Sequence, residues 1–187
     1  MTPLSALLIP ILISAVVVFV ASSILHMATP WHKNDFLTLA NQDAVLGALR
    51  PFSIPAGDYM LPKAASMDEM KTPEFTAKMT QGPVVVMTVL PGGPISMGKP
   101  LAQWFLFSVV VSIFAAYAAG VGLAPGTPYM TVFRVVFTAT FAGYALGVWP
   151  FRIWYRRSLG TTIRATIDGV IYAALTAGVF GWRWPQM

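Results

Sequence analysis

Four long apolar stretches interrupt an otherwise mixed sequence: Pro3 to Leu25, Leu101 to Gly122, Tyr129 to Trp149 and Thr162 to Trp182. Each holds about the 20 residues that a helix needs to cross roughly 30 Å of hydrocarbon. The pattern predicts transmembrane helices over residues 3–25, 101–122, 129–149 and 162–182, with a soluble insertion over residues 27–100. The expected fold class is an all-α polytopic membrane protein with a small α+β insertion between its first two helices. Trp31, Trp104, Trp149, Trp154, Trp182 and Trp184 fall at or just beyond the ends of these stretches. There an indole keeps its ring in apolar surroundings and its N–H near the headgroups. The first stretch reads as an anchor, because no Lys or Arg precedes Lys33 and its apolar run is too long for a signal peptide. Pro10 within it is expected to loosen or kink the helix.

The insertion has its own punctuation. Asn41 is placed to cap a short helix that ends at Arg50–Pro51. Ser66 to Glu69 fits a capping box, and Thr72–Pro73 an equally good helix start, for a helix running to Gln81 and ended by Gly82. Val84 to Leu90 is a β-rich run between proline–glycine turns, too short to span a bilayer, and is expected to pair with Tyr59–Leu61 or lie on the membrane surface.

Composition supports the membrane reading: 56% of residues are hydrophobic and 10% charged, against roughly 25% charged in a soluble domain. The net charge of +5 does not point to nucleic acid. Arg152, Arg156, Arg157 and Arg164 flank two apolar stretches, where positive charge orients a membrane protein. The link between the second and third stretches has no Lys or Arg. The arginine link is therefore assigned to the cytoplasm, together with the insertion, and both termini to the outside. Without cysteine, disulfides, thiol catalysis and Cys-ligated metal are excluded.

Small residues recur every fourth position in three of the stretches. They are Ala165, Gly169, Ala173, Ala177 and Gly181; Ala139, Gly143 and Gly147; and Ser108, Ser112, Ala116 and Gly120. Such ridges let helix backbones approach closely in lipid, so the last three helices are expected to form a tight bundle or meet another subunit. The first helix, rich in Val, Ile and Leu, is expected to be more peripheral.

Candidate chemistry is sparse. The charged residues within the stretches are Arg134, Arg164 and Asp168. Arg164 lies one turn before Asp168, and the two are expected to form a neutralised pair; the functional alternative makes Asp168 a proton or cation site. Tyr172 and Thr176 continue that face. Arg134 is expected to reach lipid phosphate or a partner's carboxylate. The only histidines, His26 and His32, stand with Asp35 at the end of the first stretch. Imidazole and carboxylate suit a divalent transition metal, although the spacing is no rigid helical ligand pair. Haem is disfavoured because no histidine lies within a span, and the hydrolase, phosphate-loop and zinc-protease motifs are missing.

The run His26 to Asp35, the segment Asp43 to Arg50, the Pro55-Ala-Gly-Asp-Tyr-Met-Leu-Pro62 turn and the Gly- and Trp-containing last stretch resemble small bacterial inner-membrane proteins with no assigned activity. The resemblance covers most of the chain and implies a bacterial inner-membrane setting. The role expected from sequence is a non-catalytic accessory or scaffold subunit with a membrane-protein partner or a second copy of itself, and no cofactor. A metal-handling protein using His26, His32 and Asp35, or a small proton-coupled transporter using Asp168, are the alternatives.

Overall fold

The computed structural model describes residues 1–186. Two compact units emerge: residues 1–37 with 96–187, and residues 38–95. The first is helical, with α1 (Leu8–Ser23), α4 (Gly98–Gly122), α5 (Tyr129–Tyr144), α6 (Trp149–Tyr155) and α7 (Leu159–Trp182). The second contains α2 (Gln42–Leu49), β1 (Gly57–Leu61), α3 (Pro73–Gln81) and β2 (Val85–Val89).

Four helical segments of the first unit are long and apolar enough to cross a membrane: Leu4–Ala28, Gly98–Gly122, Tyr129–Tyr155 and Leu159–Trp182. The third joins α5 to α6 through a 3-10 turn at Leu146–Val148. Pro10 sits in the first turn of α1, just after a 3-10 turn over Leu4–Leu7. A missing N–H costs nothing in a first turn, so Pro10 is accommodated where the 3-10 turn gives way to the α-helix.

Each helix packs against two neighbours, in the cyclic order α1, α4, α5, α7 and back to α1. The first helix is thus an integral wall of the bundle, contrary to the peripheral position expected. Its inner face mixes apolar Ile11 and Val18 with small Ser14, Ala15 and Ser22, and Ser14 Oγ lies 3.0 Å from Ser112 Oγ of α4. The α4 ridge Ser108, Ser112, Ala116 and Gly120 is buried throughout.

Along α7, Gly169, Ala173, Ala177 and Gly181 are buried, with Ala165 half-buried. A Cβ at Gly169 would stand 2.7 Å from Ala145 Cβ, and one at Gly181 would stand 2.6 Å from the Tyr129 ring. These glycines are what let α5 and α7 approach. The α5 ridge is different. Gly143 and Gly147 are exposed, and α5 buries Val132, Val136, Thr140 and Tyr144 instead. Gly143 does approach α4, since a Cβ there would meet Val111 at 3.1 Å.

The bundle interior has two layers. At one end Leu7, Ile11, Ala115, Ala116, Ala119, Val132, Val136, Ala177, Phe180 and Trp184 form an apolar cluster. That end is fastened by Thr2 N–H to the Gly120 carbonyl at 2.9 Å, Trp184 Nε1 to the Ala124 carbonyl at 3.0 Å and Gly126 N–H to the Pro185 carbonyl at 2.8 Å. At the other, Val18, Val111, Tyr144 and Tyr172 pack with Trp104.

In the second unit β1 and β2 form an antiparallel pair, with Tyr59 opposite Met87 and Leu61 opposite Val85. Both helix-start signals are used in succession. Glu69 N–H donates to Ser66 Oγ at the head of a 3-10 turn, and Thr72 Oγ1 then accepts from Phe75 N–H to cap α3. Asn41 occupies the cap position of α2, but its side chain makes no capping hydrogen bond.

Candidate metal site

The site grows out of the way α1 ends. After Ser23 the helix widens into a π turn over Ile24–Ala28, which carries His26. Single π turns of this kind re-aim side chains at helix ends. Thr29 then caps a 3-10 turn over Pro30–His32, its hydroxyl accepting from Trp31 N–H. Pro30 holds the first position of that turn, where its fixed φ fits. The reversal lays His32 back over His26, with ring centroids 3.9 Å apart and planes within 13°.

Both imidazoles are held through Nδ1. His26 Nδ1 lies 3.0 Å from the Ser22 carbonyl oxygen. A carbonyl can only accept, so Nδ1 carries a proton and Nε2 is the nitrogen left uncommitted. His32 Nδ1 lies 2.7 Å from Asp35 Oδ2. Asp35 also accepts from Arg164 Nε through Oδ1 at 2.7 Å, so it is an ionised acceptor and His32 Nδ1 is the donor. Burial alone would raise the Asp35 carboxyl. Hydrogen bonds from His32 and Arg164, with the guanidinium charge, more than reverse this and hold it below the usual aspartate range.

The free Nε2 of His32 then faces α7, where it stands 3.0 Å from Asp168 Oδ2. Asp168 is almost fully buried, its side chain 5% exposed. Its other oxygen accepts from Trp31 Nε1 at 3.0 Å. The His32–Asp168 contact is close but lacks hydrogen-bond direction, and His32 Nε2 is a buried polar atom with no hydrogen-bond partner. The two atoms face one another across a gap that a proton or a bound cation would bridge. One ligand atom from each of His26, His32 and Asp168 lies within 4.8 Å of the others. Two ligands about 2.0–2.1 Å from a tetrahedral zinc would be about 3.3–3.4 Å apart. Capture of an ion thus requires a few tenths of an ångström between His32 and Asp168, and a swing of the stacked His26 ring.

Asp35, expected as a ligand with the two histidines, is instead the group that orients His32. Arg164, expected to neutralise Asp168, is drawn to Asp35, with Nη2 also 3.4 Å from the Asn34 carbonyl and from Thr161 Oγ1. The loop carboxylate lies within Arg164's reach, whereas the one on its own helix faces inward toward the histidines. Arg134 is exposed on α5 and has no ion-pair partner among the described residues.

Sequence reasoning did not identify Trp31 as the donor that orients Asp168, nor the Ser22 carbonyl as the anchor of His26. Neither has a signal in residue spacing, since one contact joins distant elements and the other uses the backbone. Beneath the site Trp104, Tyr144 and Tyr172 form an aromatic floor, with centroids 5.7 to 6.3 Å apart. Trp104 Nε1 donates to Ser22 Oγ at 2.7 Å, tying the floor to the turn that bears His26. The Tyr144 and Tyr172 hydroxyls are buried without hydrogen-bond partners.

Comparison of the chain with protein-family models, curated proteins and solved structures finds no match.

Proposed function

We propose that this chain is a multi-pass protein of the bacterial inner membrane that binds a divalent transition-metal ion through His26, His32 and Asp168. The observation that carries the proposal is the buried Nε2 of His32, without a hydrogen-bond partner and facing the buried Asp168 carboxylate, with both histidines held through Nδ1 by acceptors. Metal-binding histidines usually donate their second nitrogen to a carboxylate or carbonyl, which fixes the tautomer and raises ligand basicity. Here Asp35 and Ser22 do this for the two rings, Arg164 steadies Asp35, and Trp31 steadies Asp168. Two imidazoles and one carboxylate suit zinc or ferrous iron. They leave coordination positions open, as catalytic and sensing centres do and closed structural sites do not.

Two features favour this reading over those that need a partner or a path. The small-residue ridges that would invite a partner are largely used within the bundle, at Gly120, Gly169 and Gly181. The apolar cluster from Leu7 to Trp184 fills the far half of the interior, which suits a site reached from one end and not a proton route across it. That end bears Arg156 and Arg157, so positive-inside logic assigns it to the cytoplasm.

Elemental analysis of protein purified without chelator tests the proposal. About one equivalent of transition metal in the wild type, lost in a His26→Ala, His32→Ala double variant, is the expected result. Equal metal content in the two proteins contradicts it.

A further inference from the structure

A cavity of about 270 Å³ lies between the end of α1 and the start of α4, lined by Ser22, Ser23, His26, Met27, Leu101 and Trp104 among others. That is several times the roughly 30 Å³ a water molecule occupies. Its wall is mostly apolar, and its hydroxyls are already engaged. Ser22 Oγ donates to the Phe19 carbonyl and accepts from Trp104 Nε1, and Ser23 Oγ donates to the same carbonyl. The remaining polar feature is His26, which belongs both to this wall and to the metal-binding cluster. Met27 and Met97, also at the cavity, are 76% and 55% exposed. Unbranched thioether side chains adapt to flexible apolar guests.

Resting on the metal reading above, we propose that this cavity holds the chain of a single-chain fatty-acid-like monocarboxylate, whose head occupies an open coordination position of the metal beside His26. Charge decides the head group. A divalent ion with two neutral imidazoles and one carboxylate keeps a net charge of +1, which an anionic oxygen donor neutralises. Shape and polarity decide the rest, because the wall offers contact to methylenes and no free hydrogen-bond donor to a polar body. A water-soluble anion would gain the metal and nothing from the wall. A ligand without an anionic head would gain the wall and lose the metal.

The test uses the full chain in phosphatidylcholine nanodiscs loaded with Co(II), whose visible spectrum reports its ligands. Decanoate and acetate are titrated in parallel. Decanoate is expected to change the spectrum at a concentration roughly tenfold or more below acetate, because its chain is buried in the cavity. Leu101→Trp, which fills the cavity, should raise the decanoate requirement to that of acetate while leaving Co(II) affinity and the acetate response unchanged. Met97→Phe, a milder filler at the same cavity, should give a smaller shift in the same direction. Equal potency of the two acids in the wild type, or an undiminished decanoate advantage in both variants, overturns the inference and leaves the metal site standing. Failure of the wild type to take up Co(II) before any acid is added overturns the metal reading, and this inference with it.

Discussion

Arg164 grips Asp35 and not Asp168, although Asp168 lies one turn further along its own helix. The grip joins the turn after α1 to the start of α7, and it lies one step behind His32, which Asp35 orients. On the proposed reading, Arg164 and Asp35 would act on a bound metal only through His32. Arg164→Gln and Asp35→Asn are each expected to weaken metal binding by roughly 10–100-fold, the usual effect of removing a group that orients a ligand. Because the two act as a unit, the double variant should be little weaker than the worse single one. Competition with a chelator of known affinity measures all four proteins, and additive losses would show that the pair does not act as one.

The α5–α7 contact makes a prediction about stability. At Gly169 an added methyl would meet Ala145 at 2.7 Å, with backbone atoms at 3.0 and 3.1 Å, so neither helix can yield without moving. Gly169→Ala should cost about 1–3 kcal/mol through overpacking. Gly147→Ala has open space around it and should stay within about 0.5 kcal/mol of the wild type. Denaturation in a mild detergent distinguishes them, and equal stability of the two variants would mean that the ridge at Gly169 is not the contact surface.

Among the expectations drawn from sequence, those about the apolar stretches carried most of the architecture, since length and hydropathy respond directly to the thickness of a bilayer. The α4 ridge was equally legible, because that helix runs unbroken from Gly98 to Gly122 and its small residues keep one face. The α5 ridge was not. Within the regular helix Val132, Val136, Thr140 and Tyr144 take the inner face, leaving Ala139 and Gly143 to one side of it, and Gly147 falls in the 3-10 turn at Leu146–Val148. The histidine cluster was half legible. Nearness in sequence brings His26, His32 and Asp35 together, but the π turn and Pro30 decide which atoms face inward. Asp168 joins them through a tertiary contact that no local spacing encodes.

Two buried hydroxyls without partners give a prediction of opposite sign. Tyr144 and Tyr172 are 8% and 4% exposed, and neither oxygen makes a hydrogen bond. Removing an unsatisfied polar atom while keeping the ring relieves its desolvation cost. Tyr172→Phe is expected to be neutral or more stable by about 1 kcal/mol, with metal content unchanged. A loss of stability in the same detergent assay would mean that the hydroxyl has a partner, such as a buried water.

The chain has no cysteine, so single introduced cysteines report topology on a clean background. Ala124→Cys and Arg157→Cys lie in links at opposite ends of the bundle, between α4 and α5 and between α6 and α7, and both positions are exposed. In intact cells a membrane-impermeant maleimide should label the first and spare the second, as the arginine distribution requires. Labelling of Arg157→Cys alone would invert the proposed orientation, and labelling of both would contradict four crossings.

The most direct measurement compares the metal affinities of Asp168→Ala and Asp35→Ala, each against the wild type, by chelator competition on protein reconstituted with zinc. If Asp168 is a ligand and Asp35 orients one, Asp168→Ala abolishes stoichiometric binding while Asp35→Ala retains it, weakened roughly 10–100-fold. Wild-type affinity in Asp168→Ala would contradict the site, whatever Asp35→Ala does.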